Sequence, residues 1–193
     1  MVKEFRADIQ RYLALGSNKR QIITNPAVWA IFWYRLGHWV YKEAKPSLLF
    51  LPLKMIHMLG AIFLESFQQM RLDPSAEIGP GLLIAHSGGI TLHYRTVIGR
   101  NCDLAHHVTI GTPGLGRDGV PRIGDSVYIG TGAVVIGDIQ VGDGARIAAN
   151  SLVTRDVPAG TTVMGVPAQV VRGPKPILEG LPASAPMSGG KTK

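Results

Sequence analysis

An aliphatic residue returns every six positions through much of the second half of this chain, and that period excludes more folds than any other feature of it. Read from Ile123, the hexads are IGDSVY, IGTGAV, VIGDIQ, VGDGAR, IAANSL and VTRDVP, with Ile123, Ile129, Val135, Val141, Ile147 and Val153 in register. Four positions on from each stands a small or branched residue: Val127, Ala133, Ile139, Ala145, Ser151 and Val157. A six-residue step matches neither the helical period of about 3.6 nor the alternation of an ordinary strand. Short-period β repeats mark a β-helix, in which stacked repeats bury one continuous aliphatic row. The glycines beside that row allow the sharp corners such a coil requires.

The hexad itself, an aliphatic residue, often Gly, two variable residues, a small or branched residue and one more, resembles the repeat of the left-handed parallel β-helix in hexapeptide acyltransferases. That resemblance implies a mainly β fold in which three hexads make a triangular coil of about eighteen residues. The β-helix is assigned to residues 72–172, after an N-terminal α-helical region at 1–71 and before a flexible Pro-, Gly- and Ser-rich tail at 173–193.

A chain of 193 residues with 46% apolar content is long enough for one core domain and an appendage, and too apolar for global disorder. Cys102 is the only cysteine, so no intrachain disulfide can form; four residues after Ile98, it reads as a core filler. The N-terminus MVKEFRADIQRYLALG is charged and lacks an apolar signal core, so a reducing cytoplasmic setting is expected, with the inner face of the membrane as its alternative. The net charge of +7 comes with no zinc-finger, basic-zipper or RNP-like motif. It therefore reads as attraction to an anionic membrane or to cofactor phosphates, not to nucleic acid.

A first helix is expected over Lys3 to Leu15, closed by Gly16. Asn25-Pro26 then supplies a cap and a first-turn proline for a helix through AVWAIFWYRLGHWVYKEAK, ended by Pro46. A second apolar helix follows from Ser47 to Gln69. Pro52, Lys54, His57 and Gly60 interrupt it, and Lys54 in hydrocarbon would cost about 2.5–3.5 kcal/mol. A buried or self-associating helix is favoured over a spanning one, with peripheral membrane contact as the other choice.

The first coils read LDPSAE, IGPGLL and IAHSGG; the next in-register aliphatic after Ile90 is Ile98, eight residues on. Two residues are thus added after Ile90, and His93 falls in the added segment. IGRNCD, LAHHVT and IGTPGL resume the period until GTPGLGRDGVPR leaves the coil as a loop before Ile123. His86 and His106 each lie two residues after an inward aliphatic, Ile84 and Leu104, and are separated by one coil plus the added pair. They should stack on adjacent coils at about 4.8 Å, facing outward, with His107 beside them. Such a cluster can serve as a general base, gather around zinc, or pack at a subunit interface.

The segment IGPGLLIAHSGGITLHYRTVIGRNCDLAHHVTIG, the extruded loop, and GARIAANSLVTRDVPAGTTVMGVPAQVVRG resemble the serine O-acetyltransferases and their relatives in polysaccharide biosynthesis. The resemblance implies acetyl-CoA as co-substrate, no metal, and His86 as catalytic base with His106 shaping its surroundings. It implies a CoA channel lined by the loop from Gly111 and Thr112 and by the coils bearing Thr131 and Ala149, with Arg146 and Arg155 offered to the phosphates. It further implies a homotrimer with sites between subunits, extended to a dimer of trimers if the helices also associate.

The chain departs from that family at positions that matter. Ala85 stands where the family has an Asp before its base, Gly119-Val120 where it has an Arg-His pair, and Arg71 where it has an Asp fifteen residues before the base. Asp73 or a main-chain carbonyl is left to orient His86, although Asp73 ahead of Pro74 reads first as a turn residue. Asp103, Asp118 and Asp125 read as surface and corner residues. Losing charged partners for a zwitterion favours a neutral acceptor, so the preferred reading is an O-acetyltransferase acting on a small hydroxyl acceptor, a saccharide or glycan precursor. Serine acetylation, a zinc hydratase resembling the γ-class carbonic anhydrases, and a catalytically silent membrane-associated scaffold stay open beside it.

Overall fold

The computed structural model describes residues 1–43, 50–114, 116 and 118–173. The tail expected beyond Gly173, the stop at Pro46 and the helix start at Ser47 fall outside the described residues.

The hexads build a parallel β-helix with three faces. The first face stacks Met70–Leu72, Ile90–Leu92, Thr109–Gly111, Val134–Ile136 and Leu152–Val153. The second stacks Glu77–Ile78, Val97–Ile98, Arg122–Ile123 and Gln140–Val141. The third stacks Leu83–Ile84, Asp103–Leu104, Tyr128–Ile129, Arg146–Ile147 and Thr162–Gly165, and the antiparallel strand Ala168–Arg172 closes it. Ile129 pairs with Ile147, Val135 with Val153 and Ile123 with Val141, each pair eighteen residues apart. The aliphatic row is buried, with Ala133 and Ala145 filling the space beside it. Cys102 belongs to the same interior, and burial pushes its thiol up to about 12.

The added pair lies elsewhere than the period suggests. Ile84 pairs with Leu104 and Met70 with Ile90, twenty residues apart, whereas Thr91 pairs with Thr109, eighteen apart. The two extra residues therefore sit between Ile84 and Thr91, and Leu92 carries the register in place of Ile90. Both side chains are buried, because positions two apart on a strand return to the same side. His93 is consequently not in an insertion; it starts an ordinary corner between the first and second faces.

Helix α1, Val2–Ala14, ends as expected at Gly16, whose φ is +86°. The Gly16 and Ser17 amides donate to the Leu13 and Tyr12 carbonyls, a left-handed C-terminal cap. A short helix that the sequence did not signal, α2 over Lys19–Thr24, is held by reciprocal bonds between Asn18 and Gln21. Helix α3, Pro26–His38, starts on the Asn25 cap and runs into a π-helical turn, Trp39–Glu43. Helix α4 spans Leu51–Gln68. Among the described residues no helix is long and apolar enough to cross a membrane. The crossing of α3 and α4 is tight: a Cβ at Gly37 would come 2.1 Å from the His57 ring, and one at Gly60 equally close to Trp33.

These helices close one end of the coil. A first coil has no strand beneath it, and its free N–H and C=O groups need partners. The Tyr34 hydroxyl donates to the Ala76 carbonyl and accepts from the Ile78 amide; Tyr12 treats Ile84 in the same way on both sides. Arg35 donates to the Ile78 and Gly79 carbonyls, and Asp8 accepts from the Gly81 and Leu82 amides. Asp8 and Arg35 join each other through two bonds of 3.0 and 2.9 Å, each side chain only 1% exposed. Burial raises the Asp8 carboxyl above its ordinary range, and Arg35 and the two amides oppose that rise.

Asp103 is a correction of the same kind. It is buried, not on the surface, and pairs with Arg11 at 2.8 Å, so α1 also grips the second coil.

Replacing Asp8 by Ala strands the Arg35 guanidinium in the interior, which is expected to cost about 3–5 kcal/mol of unfolding free energy in a urea titration. The double variant Asp8→Ala/Arg35→Leu should lose less than the two single losses added together.

Candidate functional site

The histidine ladder stands at the corner where the third face turns into the first. The register Ile84, Leu104, Ile129, Ile147 sets His86, His106, Thr131 and Ala149 at one position on four successive coils. The His86 ring meets that of His106 edge to face at 5.8 Å, and His106 meets His107 at 5.2 Å. His86 is exposed and His106 half-buried. The His106 Nδ1 atom is buried and has no hydrogen-bond partner among the described residues.

The two extra residues enlarge this same corner. Gly88 and Gly89 take φ of +115° and +65°, and His107 takes +59°, a left-handed conformation that few non-glycine residues adopt. The His107 amide donates to the Gly88 carbonyl at 2.9 Å. A Cβ on Gly89 would stand 2.0 Å from the His107 Nδ1 atom, so glycine is required there. One on Gly88 would stand 4.0 Å from the Gln68 carbonyl, so the end of α4 reaches this corner as well.

No carboxylate of the kind considered for His86 is in place. Asp73 accepts from the Ser75 amide at 2.9 Å and its carbonyl accepts from Ala76, which is a turn-forming role. Arg71 lies on the surface at 3.8 Å from Glu65. Ala85 is exposed beside His86. What fixes the strand is Tyr12, whose hydroxyl holds both main-chain groups of Ile84, two residues before the imidazole. Sequence reading missed Tyr12, and its one signal was a polar tip on the buried side of α1.

The remaining candidates divide by corner. Gly111 and Thr112 stand at the opposite edge of the first face, where the loop 112–121 departs. That loop is tethered: Arg95 reaches the Asp118 carboxylate and, at 2.9 Å, its carbonyl. Gly119 packs so closely that a Cβ would fall 2.3 Å from the Asp138 amide nitrogen. Asp118 is an exposed residue, as expected, that also tethers the loop, and Asp125 is the expected corner residue, accepting from the Arg100 amide. Arg155 is exposed at a later corner on the loop's edge. Arg146 lies on the third face with its guanidinium 4.7 Å from the centre of the Tyr128 ring. One protomer thus gathers His86, His106, Thr131 and Ala149 and keeps Gly111, Thr112 and Arg155 apart from them.

Among the described residues, no group of three or more His, Cys, Asp and Glu is placed to hold a metal. A cleft of about 200 Å³ between α3, α4 and the first strand, lined by Trp33, His57, Arg71 and Asp73, does not include the ladder.

Residues 121–155 match the family described as bacterial transferase hexapeptide (six repeats). The serine acetyltransferase of Escherichia coli (strain K12) is 37% identical over 146 residues, 73% of this chain and 49% of that protein. The chain thus spans about half the length of that relative. The serine acetyltransferase of Mycobacterium tuberculosis (strain ATCC 25618 / H37Rv) is 31% identical over 169 residues, 87% of this chain and 70% of that protein. Among solved structures, serine acetyltransferase from Brucella abortus strain S19 in complex with coenzyme A superposes with a TM-score of 0.78 at 31% identity, covering 90% of this chain and 68% of that one. The Neisseria gonorrhoeae serine acetyltransferase superposes with a TM-score of 0.77 at 30% identity, covering 90% and 67%.

Cutting the tether by Asp118→Ala should speed amide hydrogen exchange across residues 112–121 and leave the coil strands protected as before. Unchanged exchange in the loop would mean that Arg95 does not hold it.

Proposed function

Because the chain belongs to the serine acetyltransferase family of hexapeptide-repeat transferases, we propose that it transfers an acetyl group from acetyl-CoA to a hydroxyl acceptor, with His86 as general base. The observation that carries this reading is the exposed His86 imidazole, edge-on to His106 at a corner enlarged by two residues. His86 takes the hydroxyl proton as the oxygen attacks the thioester carbonyl. The carbon–sulfur bond then breaks, and the imidazolium returns the proton to the leaving CoA sulfur.

L-Serine is the first acceptor proposed, since the relatives bear that name. The saccharide preferred on sequence grounds is kept as a second reading on one specific observation. The neighbour of His86 is the methyl of Ala85, and Arg71 faces Glu65, so neither supplies a carboxylate for an ammonium group. A neutral hydroxyl acceptor leaves no charge unmatched there.

The site is proposed to lie between copies of the chain. In favour of this, the His86 corner and the loop corner occupy opposite edges of one face. A neighbour in a closed ring can set its loop edge against the ladder, giving three equivalent sites in a trimer.

Acetyl-CoA consumption measured with L-serine and with a panel of sugars decides the acceptor. Acetylation of serine is the expected result, and an inert serine beside an acetylated sugar establishes the second reading. With the true acceptor, His86→Ala should lower turnover by about 10²–10⁴, and His106→Ala should lower it less. Near-normal turnover in His86→Ala with loss in His106→Ala would move the base one coil along. Light scattering should give three chain masses or a multiple of three, and a monomer at micromolar concentration would refute the shared site.

A further inference from the structure

Helix α4 turns one side to α3 and leaves the other uncovered among the described residues. Met55, Ile56, Leu59, Ile62, Phe63 and Phe67 are each more than half exposed, and their spacing of three and four residues sets them on one broad stripe. An uncovered apolar stripe of this extent marks an interaction surface.

Charge indicates what covers it. Residues 1–71 carry ten Lys and Arg against four Asp and Glu, whereas residues 72–193 carry ten against nine. Almost all of the chain's net +7 therefore belongs to the helical region that bears the stripe. Arg35, Arg11 and Lys42 are paired with Asp8, Asp103 and Glu77, but Lys3, Arg6, Lys19 and Arg20 are exposed. A second copy docked on α4 would set this surplus against its like. An anionic bilayer would neutralise it while receiving the apolar side chains.

We infer that the exposed face of α4 docks on an anionic lipid bilayer, with the helix lying at headgroup level. Among the described residues α4 is not long and apolar enough to cross a membrane. Lys54, on the flank of the stripe with its ammonium 5.7 Å from the Tyr41 ring centre, is placed to reach headgroup phosphates. If the chain forms the trimer proposed above, three such helices stand at the same end of the coils and bind with avidity.

Flotation of the full-length protein with vesicles is the test. The protein is expected to rise with equimolar phosphatidylglycerol and phosphatidylethanolamine at low salt, and to stay below with phosphatidylcholine alone. Leu59→Glu/Ile62→Glu should abolish flotation, and Lys54→Glu should weaken vesicle binding about tenfold. Acetyl transfer in vesicle-free solution and assembly mass should be those of the wild type in each variant. A wild-type protein that stays below with the anionic vesicles overturns the proposal, as does a double variant that floats equally well. A double variant with half the wild-type assembly mass assigns the stripe to contact between copies of the chain and also overturns it. Failure of the acetyltransferase reading would show separately, as absence of transfer in vesicle-free solution.

Discussion

The buried pair of Asp8 and Arg35 is the contact on which the joining of helices to coil depends. A solenoid has no natural beginning, because its first coil lacks the neighbour that every later coil uses for its hydrogen bonds. Here the neighbour is replaced by side chains. Asp8 accepts main-chain amides, Arg35 donates to main-chain carbonyls, and each neutralises the other so that both can be buried. An ion pair of this kind adds little net stability over an apolar core of equal shape. Its value lies in specificity: a carboxylate and a guanidinium fixed to four main-chain positions allow one docking of α1 and α3 on the coil.

That docking bears directly on the ladder. Tyr12 is one helical turn from Asp8 and bonds both main-chain groups of Ile84, so the cap ends on the strand that carries His86. From the other side, the last turn of α4 meets Gly88 in the same corner. The two extra residues are thus bounded by α4, by the His107 ring on Gly89, and by the coil itself. An enlarged corner would otherwise be the most mobile part of a solenoid. Held on three sides, it can carry an exposed imidazole in one place.

The period of six made the fold legible, because each aliphatic residue reports the same fact about the coil interior. The ladder of His86 over His106 followed from counting along that period. The place of the added pair did not, since Ile90 and Leu92 both point inward and the period accepts either as the register residue. The cap was illegible for a different reason: Asp8, Arg11 and Arg35 look like solvated helix charges until the first coil is set against them. The tether of Arg95 to Asp118 joins residues that no local rule relates, although the Gly- and Pro-rich loop was plain.

The convex shape of the coil is the ground for proposing that its outward histidines work with a second chain. Inward positions are filled by aliphatic side chains, so a substrate cannot enter the solenoid. Small-molecule sites are concave, and a triangular prism offers concavity only where a second surface approaches one of its edges. The His86 corner is such an edge, with its imidazole exposed. The loop corner, tethered by Arg95 and packed on the coil at Gly119, stands at the opposite edge of the same face. The proposed trimer follows from this placing, since rotational symmetry is the simplest operation that sets one edge of the face against the other.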